Sequence, residues 1–379
     1  MATLKFMCFL SINFCLNVMI TGQAGRIIPP GAIVGAYYPS WSESSFPPSS
    51  IDTTFFTHIY YAFLVPNNVT FEFEIPKSTA GALLDFTTTL RHKNPPVKTL
   101  VSIAGGGADP RLFARMASGE KSRTTFINSA IEVARKFGFD GLDLDWEFPQ
   151  NPKEMQDLGL LFEEWRVAIQ NEAKYTKQPP LLLTAAVYFS VEFLWSNVYR
   201  KFPVESMKNS LDLINVMCYD YRGLWDTSVT GAHAALYDSN SNISTSYGLE
   251  SWVRAGMPRH MIVMGLPLYG RTWKLKDPNV SGIRAPAVSV GPGNGVLTFS
   301  QVEKFNKENN ATVVYDVETV STYSYSGLSW IGYDDTLSTS AKIRFAKAHG
   351  LRGYFFWALS FDNEWKISRQ AVKAWAIGK

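Results

Sequence analysis

The stretch that decides the fold is "FDGLDLDWEFP", residues 139–149. Leu142, Leu144 and Trp146 alternate with Asp143, Asp145 and Glu147. Side chains alternate faces along a strand, so this spacing predicts a β-strand with one apolar face and one acidic face. Burying carboxylates is costly unless they are paired or used. A solvated acidic edge does not account for the strict period of two inside an apolar run. Successive acids on that face stand about 6.6 Å apart along the backbone, close enough to perturb one another's titration. Crowded, perturbed carboxylates mark functional sites.

Working outward, seven further apolar β-prone runs share the chain: 32–41, 57–64, 98–106, 181–190, 211–221, 261–270 and 351–360. Their near-continuous hydrophobicity suits strands covered on both faces, as parallel sheets require. Helical patterns separate them. After the acidic strand, Asn151 and Pro152 predict a helix start, with Glu154 at the capping-box position. Met155, Leu158, Leu161, Phe162, Trp165 and Ile169 then recur at helical spacing. A second helix is predicted over roughly 122–137, stopped by Gly138. Eight strands alternating with helices predict an α/β fold, a (β/α)8 TIM barrel. An open doubly wound sheet is the competing architecture, but no glycine-rich phosphate loop follows the first run. The gap between the last two runs is anomalously long, and its alternating "TVVYDVETVSTYSYSGLSWIGYD" predicts a small α+β insertion after strand seven, about 271–330. In such a barrel the outward face of a strand packs on helices, which suits Leu142, Leu144 and Trp146. The acids must then point inward and rise toward the C-terminal mouth, where these barrels place their active sites.

Composition narrows the rest. A net charge of +3 without a basic run argues against nucleic-acid binding and against a substrate recognised by charge. The aromatic surplus suits a ligand with flat apolar faces, such as sugar rings. Lys5 followed by the apolar run 6–20 reads as a signal peptide, residues 1–24, leaving a catalytic domain over 25–379. The run is shorter than the ~20 residues a membrane span needs, so no membrane anchor is expected. Removing that segment leaves Cys218 as the one thiol, expected to be buried and inert. Sequons at Asn68, Asn242, Asn279 and Asn310 agree with secretion. The five histidines show no ligand spacing, so neither a metal nor any other cofactor is expected. No G-x-S-x-G supports serine chemistry. Tyr38, Trp41, Phe63, Tyr188, Tyr269 and Trp273 lie near strand ends, each of them either core or cleft.

"DGLDLDWE" resembles the D-x-x-D-x-D-x-E motif of the family 18 glycoside hydrolases, the chitinases. "SIAGG" (102–106), "MCYD" (217–220) and "GYFFW" (353–357) resemble the family's segments on strands three, six and eight. The wider text is similar to plant class V chitinases, and to the legume branch that includes Nod-factor hydrolases. The resemblance implies Glu147 as general acid. It implies Asp145 as the group that orients the substrate's acetamide, Asp143 as Asp145's proton-sharing partner, and Tyr219 as a donor to the acetamide oxygen. This family is an exception to the two-carboxylate scheme, because the nucleophile is the substrate's own N-acetyl oxygen. The resemblance further implies Trp357 as the cleft floor, with Gly105, Gly106, Phe148, Met217 and Asp220 around the substrate; of the aromatics near strand ends, Tyr38, Phe63 and Tyr188 are expected to join them. Asp140 lies off the row's parity and is expected to be structural. Ala104 stands where the family has Gly, so the loop there must accept a Cβ. Phe148 stands where a Tyr is often found.

The activity so implied is a secreted, retaining endo-hydrolase of β-1,4-linked N-acetylglucosamine. Its expected partners are chitin, chito-oligosaccharides and lipochito-oligosaccharide signals, acted on by a monomer in the apoplast, with the vacuole as the alternative. Two other readings share the barrel: a chitin-binding lectin without activity, and an endo-β-N-acetylglucosaminidase acting on N-glycans.

Overall fold

The computed structural model describes residues 28–377, so the predicted signal peptide lies outside the described residues. All eight apolar runs form parallel strands. In chain order they are Ile33–Pro39, His58–Leu64, Lys98–Ala104, Gly141–Asp145, Leu182–Tyr188, Leu213–Met217, Ile262–Pro267 and Gly353–Trp357. Each pairs with its sequence neighbours, and the first closes onto the eighth through Ile33 opposite Gly353, giving a (β/α)8 barrel.

The predicted helix signals act as read. Asn151 Oδ1 accepts from Glu154 N at 3.0 Å, and Gln150 N donates to Glu154 Oε2, starting the helix Pro152–Thr176. That helix buries Met155, Leu158, Leu161, Phe162, Trp165 and Ile169 against the barrel. The preceding helix spans Glu120–Lys136, and Gly138 follows at φ +72°, where a Cβ is disfavoured. Leu142, Leu144 and Trp146 belong to the large core between barrel and helices. A smaller core fills the barrel itself, with Tyr37, Tyr60, Leu100, Leu213, Val263 and Phe355.

The seventh run divides. Its first part completes the barrel, whereas Tyr269–Leu275 turns away to start a six-stranded antiparallel sheet. That sheet runs on through Ser329–Tyr333, carries the helix Phe299–Glu308, and packs its own core around Trp273 and Trp330. The sequence reading did not anticipate the short hairpin Glu192–Trp195/Val198–Lys201 after the fifth strand.

Candidate active site

Strand pairing places Ser102, Asp143 and Thr184 side by side on the third, fourth and fifth strands. All three point into the barrel. Ser102 Oγ and Tyr37 OH donate to Asp143 Oδ2 at 2.7 and 2.9 Å, and Thr184 Oγ1 donates to Oδ1 at 2.5 Å. Asn215 Nδ2 in turn donates to Tyr37 OH at 3.0 Å. Burial raises the Asp143 carboxyl above its ordinary range, and the three hydroxyls partly offset this by favouring the ionised form.

One step up the row the support stops. Asp145 Oδ1 is buried with no hydrogen-bond partner among the described residues. Burial, then the neighbouring Glu147 and Asp143 charges, push its carboxyl well above the ordinary range. Glu147 stands last, two residues beyond the strand end, with its carboxyl pushed up to about 7 by burial first and by the Asp220 charge second. The three acids therefore titrate as one set. The three hydroxyl donors make Asp143 the member of the row best placed to carry a charge, whereas Asp145 and Glu147 are pushed toward their protonated forms.

Two glycines shape the wall. Gly105 has φ +84°, and a Cβ there would lie 2.4 Å from the Phe63 ring. At Gly106 a Cβ would come within 3.1 Å of Glu147 Oε1, so glycine keeps room for the carboxyl group. The expectation that the Ala104 loop must accept a Cβ meets an informative result: Ala104 keeps φ +89°. The backbone holds a left-handed conformation that costs an alanine roughly 1–2 kcal/mol.

Opposite Glu147, Asp220 closes the site from the loop after the sixth strand. Arg271 grips it with both arms of its guanidinium, Nε to Oδ1 at 2.8 Å and Nη2 to Oδ2 at 2.7 Å. Burial works against the Asp220 charge, but His233 and Arg271 overcome it and hold this carboxyl below its ordinary range. Asp220 is thus a fixed negative charge facing a proton-holding Glu147.

These groups open into a cleft of about 400 Å³ at the strands' C-terminal ends. Asp145, Glu147, Tyr219, Met217, Asp220, Gly106, Phe63 and Trp357 line it, joined by Trp41 and Tyr269. Phe63 and Trp357 stack at 5.6 Å and 17°, while Trp41, 63% exposed, tilts over Trp357 at 6.3 Å. The result is an aromatic floor beside a carboxyl row, with the shape and polarity of a sugar site. A larger hollow of about 570 Å³ lies between the loop around Asp238 and the insertion, but it holds none of the row.

Several expected positions fall elsewhere. Tyr38 does not reach the cleft. It is buried against Phe46, Tyr61 and Phe86, with its hydroxyl on the Phe46 carbonyl, because adjacent residues face opposite ways and Tyr37 is the inward one. Gly105 sits behind Phe63 as a turn residue. Phe148 and Tyr188 pack edge to face at 5.2 Å beside the cleft, with Phe193 against both. Trp273 is buried in the insertion core. Asp140 lies at the opposite end of the barrel, paired with Lys98. Asp143 does not line the cleft; it lies below, with both its oxygens accepting from Ser102, Tyr37 and Thr184. The sequence reading missed Tyr37, Ser102, Thr184 and Asn215, which sit inward on their strands, Arg271, which sits on the strand Tyr269–Leu275 of the insertion sheet, and His233, which sits on a loop. The two-residue alternation in "GAYYPSW" could have flagged Tyr37. No local pattern marks His233.

An eight-stranded barrel with an acid row at its mouth defines a glycosidase-type site. The chain belongs to the glycosyl hydrolases family 18, which it matches over residues 33–362. It is 54% identical over 342 residues to Nod factor hydrolase protein 1 of Medicago truncatula, covering 88% of each chain. Among solved structures, it is similar to a class V chitinase mutant from Nicotiana tobaccum in complex with NAG4. There the TM-score is 0.87 and the identity 40%, with 91% of this chain and 99% of that one covered. It is also similar to the chitinase-like agglutinin RobpsCRA from Robinia pseudoacacia. The TM-score is 0.84 and the identity 38%, with 91% and 100% covered.

Proposed function

We propose that the protein is a secreted, retaining endo-chitinase that cleaves β-1,4-linked N-acetylglucosamine oligomers, lipochito-oligosaccharides among them, with the substrate's acetamide as nucleophile. The observation that carries this reading is the unpartnered, buried Asp145 oxygen beside a proton-holding Glu147. A buried oxygen left without a partner costs about 1–3 kcal/mol, so its persistence fits a ligand group that completes it. An acetamide N–H does so.

In this reading the scissile unit rests on Trp357. Glu147 gives its proton to the glycosidic oxygen as the bond to C1 breaks, and the acetamide oxygen closes on C1. Asp145 accepts from the acetamide N–H and passes its own proton toward Asp143, so that negative charge faces the oxazolinium cation. Tyr219 donates to the acetamide oxygen. Glu147, now ionised, takes a proton from water that attacks C1 and reopens the ring. Two displacements at one carbon give net retention.

The legume relative, a Nod factor hydrolase by name, supports the lipid-bearing substrates. The apolar N-terminal run supports secretion. The agglutinin relative favours a second reading, sugar binding alone on the same barrel. A product time course on plain and acylated chitin oligomers, run for wild type and Glu147→Gln, separates the two. Hydrolysis by wild type alone, with β-anomers formed first, supports the enzyme. Equal, negligible rates with retained binding by both proteins establish the lectin.

A further inference from the structure

The loop after the sixth strand holds a titratable group that the chemistry above leaves unused. His233 is 1% exposed, and its Nε2 lies 3.2 Å from the Tyr269 carbonyl oxygen. A carbonyl only accepts, so Nε2 carries its hydrogen in both charge states of the ring. Nδ1 then faces Asp220 Oδ1 at 3.6 Å, with no hydrogen-bond partner among the described residues. In the neutral ring this places a lone pair against a carboxylate, which repels. In the imidazolium it places an N–H there, which attracts.

The backbone holds the ring in this position. Tyr221 N donates to the His233 carbonyl, Thr245 N donates to that of Ala235, and the Lys342 ammonium donates to that of Ala234. Lys342 is itself buried against Asp334 at 2.6 Å. The groups facing His233 are therefore Asp220 and Arg271 at the cleft, the Tyr269 ring at 5.1 Å, and the Asp334–Lys342 pair behind. Burial disfavours the ring's charge and prevails over Asp220 and Asp334, with Arg271 acting in the same sense as burial, so His233 ionises below the ordinary imidazole value.

We infer that His233 is a positioning residue that acts through Asp220: when protonated, its Nδ1–H takes hold of this carboxylate and adds a positive charge behind the cleft. The inference rests on the hydrolase reading above. With His233 neutral, Asp220 and Arg271 sum to zero charge. With it protonated, the trio is +1. A positive charge there favours the ionised form of the Asp143–Asp145 pair, which must keep one negative charge to balance the oxazolinium. Protonation of His233 in acid thus protects the pair and extends the working range downward. Near pH 7 the ring is already neutral, so the alkaline limb is untouched.

The test is kcat/KM against pH on a chito-oligosaccharide for wild type, His233→Asn and His233→Gln. Both variants retain polar side chains, and neither can gain charge. The acid limb should move up by about half a pH unit in both, with the alkaline limb in place. A purely structural role would lower activity evenly across pH, and limbs that stay put would overturn the inference. Nitrogen-edited NMR of the five histidine rings in wild type and Asp220→Asn tests the geometry without activity. One ring should be an Nε2–H tautomer titrating below 6.5, and its midpoint should fall further in Asp220→Asn. The opposite tautomer, or a midpoint indifferent to Asp220, overturns the inference even if the variants do not fold. Because the NMR does not depend on turnover, a failure of the hydrolase reading remains distinguishable.

Discussion

Asp140 and Asp145 flank the fourth strand at its two ends and meet opposite fates. Asp140, at the lower end, is answered by Lys98 Nζ at 2.7 Å and by Thr99 N at 2.9 Å, partly in solvent. Asp145, at the upper end, is buried with one oxygen unanswered and a second acid on either side. The residue type is the same, so the difference lies in what surrounds it. The lower end of the barrel completes its charges and gains closure. The upper end leaves a carboxyl oxygen unanswered, and that is where chemistry becomes possible.

The comparison is sharpened first by Glu147→Gln, which removes the proton donor and keeps the shape. Hydrolysis of chitin oligomers should fall by about 10²–10⁴ while oligomer binding persists, read by steady-state rates and calorimetry. Asp145→Asn should cost about 10²-fold in kcat, less than Glu147→Gln, because the acid survives and only the acetamide's partner is altered. A loss confined to KM would contradict the assigned role.

Stability should move the other way. The folded-state value of Glu147 is about 7, above the ordinary 4.5. Between those values the folded protein holds a proton that the unfolded chain has released, so stability falls as pH rises through that window. Glu147→Gln removes this loss. Its stability relative to wild type should therefore grow from pH 4.5 to 7, by on the order of 1–3 kcal/mol, measured by denaturant unfolding. A difference constant with pH would contradict the burial of this proton. At the lower end, Asp140→Asn should leave kcat within about twofold and cost less than about 1 kcal/mol, as expected for a solvated pair. A large kcat loss there would erase the contrast.

The strand order and the acid row were legible because each rests on a local period. Alternation placed Asp143, Asp145 and Glu147 on one face, and the long gap after the seventh run exposed the insertion. What stayed hidden depends on register between distant strands. Ser102, Asp143 and Thr184 become neighbours only once three strands are aligned, and Asn215 reaches Tyr37 across 178 residues of sequence. Tyr38 shows the opposite failure: it is one residue off the inward parity, and nearness to a strand end does not settle a facing. His233 lies on a loop that strand or helix periodicity does not describe, and Arg271, on the strand Tyr269–Leu275, reaches Asp220 across 51 residues of sequence. The cis peptides at Ala62–Phe63, Glu147–Phe148 and Trp357–Ala358 likewise have no sequence signal.

Difference infrared spectroscopy of wild type minus Glu147→Gln, taken across pH 3 to 9 on the free protein, isolates one carboxyl group. A protonated band that persists through mild acid and disappears with a midpoint near 7 is what a buried donor facing a fixed Asp220 charge must show. Disappearance near 4.5 would mean that this side chain enters the cleft already ionised, and the proton it is said to deliver would have to come from somewhere else.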